Sequence, residues 1–201
     1  MSTAVGKSLH IGEHDQSELE EHFRNTIANR HLYLFDGFGS FDPSIIYNRI
    51  EYLASGLECR IIFVDHLTIL LSGLEGDERR MLDQTMTRLR SLVERTGISL
   101  FLVSHLRRTS NDRTSHEEGG KVSLSQLRGS AGIAQLSDQV IALERNQQSE
   151  TERDITTLRI VKNRYSGETG FAGKIRFDLN TSRFTEHETT GSPVFNPSSD
   201  F

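Results

Sequence analysis

Apolar positions follow two rhythms along this chain. Short runs of β-branched and aromatic residues alternate with longer stretches in which apolar residues recur every three or four positions. The first rhythm predicts strands buried on both faces, the second amphipathic helices. The run Arg60-Ile-Ile-Phe-Val-Asp65-His66 predicts a strand over 60–65 that ends abruptly in an acid. His31-Leu-Tyr-Leu-Phe-Asp36 has the same form, Ile98-Ser-Leu-Phe-Leu-Val-Ser-His105 ends in a polar pair, and 138–143 is a further strand. Between them 43–55 predicts a helix with Ile46, Ile50 and Leu53 on one face and Pro43 in its first turn. Residues 75–96 predict a long helix with Leu82, Met86, Leu89, Leu92 and Val93 in one stripe and Gly97 to stop it. A short helix over 17–28 has Leu19, Phe23 and Ile27 four apart.

The late part of the chain changes pattern. Residues 107–121 form a long polar loop, 123–136 a small-residue helix or turn, and 147–154 a polar turn. Two strands, 156–162 and 173–177, are joined by a Gly- and Ser-containing turn, a hairpin by pattern. Alternating strands and helices followed by a hairpin predict an α/β fold: a mostly parallel sheet flanked by helices, with a C-terminal antiparallel hairpin. The predicted organisation is a poorly defined segment 1–30, a core 31–184, and a flexible, disordered tail 185–201 containing Pro193 and Pro197. Ligands of open α/β sheets bind just past the carboxyl ends of the strands. Asp65 sits there, either as a holder of the Mg²⁺ that accompanies a nucleotide triphosphate or as a simple strand terminator.

Composition narrows the class. The 201 residues suffice for one domain with a real core, and 35% are hydrophobic and 25% charged. The net charge of −5 argues against a broadly basic nucleic-acid surface but leaves room for a local one. A single cysteine, Cys59, excludes an internal disulfide framework and fits a reducing, cytoplasmic setting. No apolar run approaches the roughly 20 residues of a membrane span, and no apolar signal segment opens the chain, so no membrane partner is expected. Gly6-Lys7-Ser8 resembles the end of a phosphate-binding loop. The pattern's first glycine would fall at Met1 with no strand before it, so the tripeptide reads as a decoy or remnant.

The motifs in order are Phe63-Val-Asp-His66, Val103-Ser-His-Leu106, His116-Glu-Glu-Gly119, Leu127-Arg-Gly-Ser130 and Gln135-Leu-Ser-Asp138. Leu143-Glu-Arg-Asn-Gln-Gln148 and Lys162-Asn-Arg-Tyr-Ser-Gly-Glu-Thr-Gly170 follow. Together they closely resemble the helicase domain of the T7-like phage primase-helicases, relatives of the bacterial replicative and mitochondrial helicases. The resemblance runs from about residue 32 to the end. It implies a RecA-like core assembling as a homo-oligomeric ring, usually a hexamer, with nucleotide sites between subunits. ATP or dTTP hydrolysis with Mg²⁺ would drive movement along single-stranded DNA and unwinding in phage replication, in the cytoplasm of the infected bacterial host.

The resemblance also implies roles for individual residues. Asp65 matches the Walker B acid that holds Mg²⁺, and His105 a γ-phosphate sensor. Arg164 resembles the arginine finger that reaches the next subunit's site, with Lys162 as its cationic partner. Arg145 and Phe177 resemble the pair that sandwiches the base, since a planar guanidinium and an aromatic ring can both stack. Gln135 resembles a second phosphate sensor. DNA contacts would come from Arg107, Arg108, Arg113 and Lys121 of the long loop and from Arg128 and Gly129, where cations and backbone amides meet phosphates. The terminal Asp200 and Phe201 resemble the tail by which such helicases dock on the phage DNA polymerase. The arginine expected just before Gln135 is absent, since Gly132-Ile133-Ala134 stands there. A Walker A lysine and a catalytic glutamate have no convincing match either. The sequence therefore predicts the C-terminal portion of a replicative helicase domain. The alternative is a non-catalytic fragment or interaction module that binds a polymerase or a helicase ring.

Overall fold

The computed structural model describes residues 15–28, 31–35, 42–67, 77–106, 115–127 and 130–188. These residues fall into two compact units, the first drawn from within 35–110 and 123–140, the second from within 1–34, 111–122 and 141–201.

In the first unit, helix α2 (Pro43–Ser55) starts where the Asp42 carboxylate accepts the Ser44 N–H, with Pro43 in the first turn. (The chain's first helix, α1, Gln16–Phe23, belongs to the other unit and continues as a π-helical turn, Arg24–Ala28.) Helix α3 (Glu78–Thr96) begins at Asp77, whose carboxylate accepts the Arg79 N–H at 3.0 Å. It ends at Gly97, whose φ of 69° is the left-handed conformation that glycine adopts at least cost. Residues 75–76 of the predicted helix lie outside the described residues. The apolar stripes of α2 and α3 face each other: Ile46, Tyr47 and Ile50 pack with Leu82, Met86, Leu89 and Leu92 in one core. The Arg88 guanidinium lies 4.6 Å from the centre of the Tyr47 ring, and Arg95 pairs with Glu51 at 2.8 Å. Strands β1 (Ile61–Val64) and β2 (Ser99–Leu102) pair in parallel, in register from Ile61↔Ser99 to Val64↔Leu102. Alternation sends Ile62, Val64, Leu100 and Leu102 into the core. On the other face Phe63 and Phe101 stack at 4.7 Å and stay 71% and 49% exposed. Helix α4 (Ser130–Leu136) follows a single 3₁₀ turn (Leu124–Gln126).

The second unit carries a four-stranded sheet in the order β3-β4-β5-β6. Its strands are β3 (Gln139–Arg145, entering from the first unit), β4 (Ile155–Asn163), β5 (Gly170–Asp178) and β6 (Arg183–Glu186). β4 and β5 are the predicted hairpin, each extended beyond the sequence pattern. Their register shifts between Leu158 and Arg159, which leaves Ala172 without an opposite residue. β6 is an addition: it pairs antiparallel with β5 through Phe177↔Phe184 and takes up Thr185 and Glu186, where the pattern predicts the tail. The tail beyond Glu188 lies outside the described residues.

One predicted strand is absent. Residues 31–35 belong to no strand, and Leu34 is 84% exposed. An apolar run becomes a strand only where a neighbour completes its hydrogen-bond ladder, and no described strand pairs with this one. Phe35 instead lies under the Arg49 guanidinium of α2, 4.9 Å from it. Among the described residues no helix is long and apolar enough to cross a membrane.

Candidate nucleotide site at the strand ends

Parallel, in-register pairing makes β1 and β2 emerge at the same edge. The Val103 N–H donates to the Val64 carbonyl at 3.0 Å, and the Leu67 N–H donates back to the Val103 carbonyl at 2.8 Å. These two bonds hold the segments after both strands side by side. Asp65 directly follows β1 and His105 lies three residues past β2, so both follow the same edge of the sheet, and both are exposed. His66, half-buried, follows Asp65, and its ring meets the His105 ring edge to face at 4.6 Å between centroids and 67° between planes. Sequence reasoning gives His66 no role. Its only signal is its place directly after a strand-ending acid, and its contact with His105 depends on strand register. Asp65 offers one exposed carboxylate. Among the described residues no group of three or more His, Cys, Asp or Glu could hold a metal by themselves. This donor set fits an ion such as Mg²⁺, which takes one or two carboxylates and completes its shell with phosphate and water.

The structure continues from this edge. Leu106, immediately after His105, forms an antiparallel bridge with Leu127, immediately before Arg128 and Gly129. Leu127 is buried in the core. Gln135 is exposed on α4, which packs on α3. That packing is close at Gly132, where a β-carbon would collide with Oδ1 of Asp83 and sit 3.3 Å from the Asp83 Cα. Asp83 Oδ1 is itself buried and unpaired. Gly132→Ala is accordingly expected to push α4 off α3 at a cost of about 1–3 kcal/mol. Urea denaturation measures it, and a loss under about 0.5 kcal/mol would show that the helices separate freely there.

In the second unit, the Arg145 Nε–H donates to the Arg153 carbonyl, and the Phe177 N–H donates to the adjacent Asp154 carbonyl at 2.9 Å. The two residues predicted to hold a base are thus anchored on consecutive carbonyls of one turn. Arg145 is exposed and Phe177 half-buried. Lys162 lies on β4, while Arg164 lies one residue beyond the strand's end, exposed. Lys121 is exposed and precedes Val122, whose N–H is held by Glu144. A polar hollow of about 220 Å³, with Glu118, Glu144, Glu152 and Lys174 in its wall, contains none of the predicted residues. Arg107, Arg108, Arg113, Arg128 and Gly129 lie outside the described residues, as do Asp200 and Phe201.

Residues 2–186 match the DnaB-like helicase C-terminal domain. The chain is 34% identical over 178 residues to the DNA helicase/primase of Enterobacteria phage T3, covering 88% of this chain and 31% of that protein. It is 27% identical over 183 residues to a probable plasmid replicative DNA helicase of Chlamydia muridarum, covering 90% of this chain and 38% of that one. It thus spans about a third of the length of the curated relatives it matches. Two solved structures superpose with a TM-score of 0.70 at 19% identity over 93% of this chain. One is a DnaB-like replicative helicase described with its interactions with primase, of which 47% is covered; the other is an ATPase domain, of which 68% is covered. At that identity they establish the fold, which is RecA-like.

Proposed function

Because this chain belongs to the DnaB-like helicase C-terminal domain family, we propose that it is the C-terminal portion of a nucleotide-driven replicative DNA helicase. The observation that carries the reading is the strand-end edge that Asp65 and His105 both follow, with the His66 ring packed against the His105 ring. In this reading Asp65 holds Mg²⁺ on the phosphates of ATP or dTTP, and the ion's part is to neutralise charge on the transferring group. His105 and Gln135 sense the γ-phosphate. The Leu106–Leu127 bridge supports a path from His105 to the Arg128-Gly129 segment, which with Arg107, Arg108, Arg113 and Lys121 tracks the single-stranded DNA backbone. Arg164 and Lys162 act on the site of a neighbouring subunit in a ring, hexameric by the family's habit. Arg145 and Phe177 hold the base. Asp200 and Phe201 dock on a phage DNA polymerase.

The second reading is a non-catalytic interaction module. Calorimetric titration with nucleotide separates the two. The helicase reading expects Mg²⁺-dependent binding that weakens about tenfold or more in Asp65→Asn, about 1.4 kcal/mol. Equal binding by the variant would sink the role of Asp65, and no binding at millimolar nucleotide would favour the module.

A further inference from the structure

Strand alternation sorts the side chains of the second unit's sheet. Glu144, Ile155, Thr157 and Lys174 share the face that lines the polar hollow, so Arg145 and Phe177 belong to the opposite face. Phe184 is the direct cross-strand partner of Phe177 and therefore lies on that same face. The two rings are 4.9 Å apart and inclined at 49°. Phe184 keeps 61% of its surface in water, on the last strand of the sheet. An aromatic ring left this open beside a second ring presents a surface suited to a flat, apolar-faced ligand, on the face that also carries the anchored Arg145.

We propose that Phe184 is a base-contacting, specificity-determining residue: with Phe177 it forms an angled two-ring wall, against which the nucleotide base lies. The inference rests on the reading of Arg145 and Phe177 as base-holding residues and adds to it the element that decides which base fits. A wall of one ring covers a pyrimidine about as well as a purine. A second, inclined ring extends the contact over the further five-membered ring of a purine. Stacking tolerates every base because each has a π-face, so the extra area translates into preference rather than exclusion. Phe184 therefore favours adenine over thymine nucleotides.

The test is titration of the full chain with MgATP and with Mg-dTTP, in wild type and in Phe184→Ala, Phe184→Leu, Phe184→Trp and Phe177→Ala. Phe184→Ala and Phe184→Leu are expected to weaken ATP binding about tenfold, and dTTP binding less. Phe184→Trp should keep the ATP preference, with circular dichroism unchanged throughout. Loss of purine preference in the leucine variant separates stacking from packing, because leucine keeps the apolar volume and lacks the plane. If Phe177→Ala weakens binding while the Phe184 variants bind both nucleotides as wild type does, this inference fails and the base-holding pair stands. If nucleotide binds and none of the substitutions matters, the base-holding reading fails and takes the inference with it. A chain that binds neither nucleotide overturns both.

Discussion

Leu89→Ala is expected to lower the unfolding free energy by about 4 kcal/mol, read from urea denaturation followed by circular dichroism. Leu89 is 1% exposed and stands in the middle of the α3 stripe, in the core shared with Ile46, Tyr47, Ile50 and Ile62. Truncation removes the transfer energy of the lost methyl groups and leaves a cavity bounded by two helices and a strand. Such sites collapse poorly, and leucine-to-alanine changes in them cost about 2.7–5.0 kcal/mol. A domain is stable by only about 5–15 kcal/mol, so this single change removes a large fraction of the total. Tyr52, on the same pair of helices but 60% exposed, supplies the control: Tyr52→Ala should stay within about 0.5 kcal/mol of wild type. A loss below about 1 kcal/mol at Leu89 would mean that α2 and α3 do not clamp the sheet as their stripes indicate.

That core is where the sequence was most readable. A stripe at helical spacing names its own buried face, and Leu82, Met86, Leu89 and Leu92 are all in the core. The strand end before Asp65 is legible for a similar reason, since an apolar run that stops at a polar residue marks an edge of the sheet, whereas β2 stops at Leu102, three residues before the predicted end at His105. What local pattern does not carry is pairing. Residues 31–35 have the composition of a strand but belong to none, and β6 has four exposed residues with no alternation to announce it. Its existence depends on β5 offering a free ladder. Register decides the finer contacts too, so His66 against His105, Leu106 against Leu127 and Phe184 against Phe177 are invisible until strands are paired. The division into two units escapes a linear reading altogether. Each is assembled from separate stretches, and β3 changes unit partway, between Val140 and Ile141.

The second large effect falls in the other unit, on a residue for which the sequence suggested nothing. Glu144 is a carboxylate with 5% of its side chain exposed, and its Oε1 accepts from both the Arg159 Nε–H at 2.8 Å and the Val122 N–H at 2.8 Å. The pairing raises the Arg159 guanidinium above its ordinary value, chiefly through that hydrogen bond and against some desolvation. A raised basic group stabilises the fold at every pH below its unfolded value, so this contribution is complete across the whole working range. Glu144→Ala strands two donors at once: a buried backbone N–H and a guanidinium that cannot shed its proton. Removing one partner of a buried pair costs about 3–5 kcal/mol. Arg159 keeps 20% of its side chain in water, and that screening sets the expectation at the low end, about 3 kcal/mol. Glu144→Gln keeps an oxygen in place to accept both bonds and gives up only the charge, so it should cost about 1 kcal/mol. Thermal unfolding of the two variants, together with hydrogen exchange at the Val122 amide, reads the difference. Faster exchange at Val122 in the alanine variant than in the glutamine variant is expected. Equal stability of the two would mean that the carboxylate acts through its charge alone and that the double acceptance at Oε1 does not hold Val122 to β3.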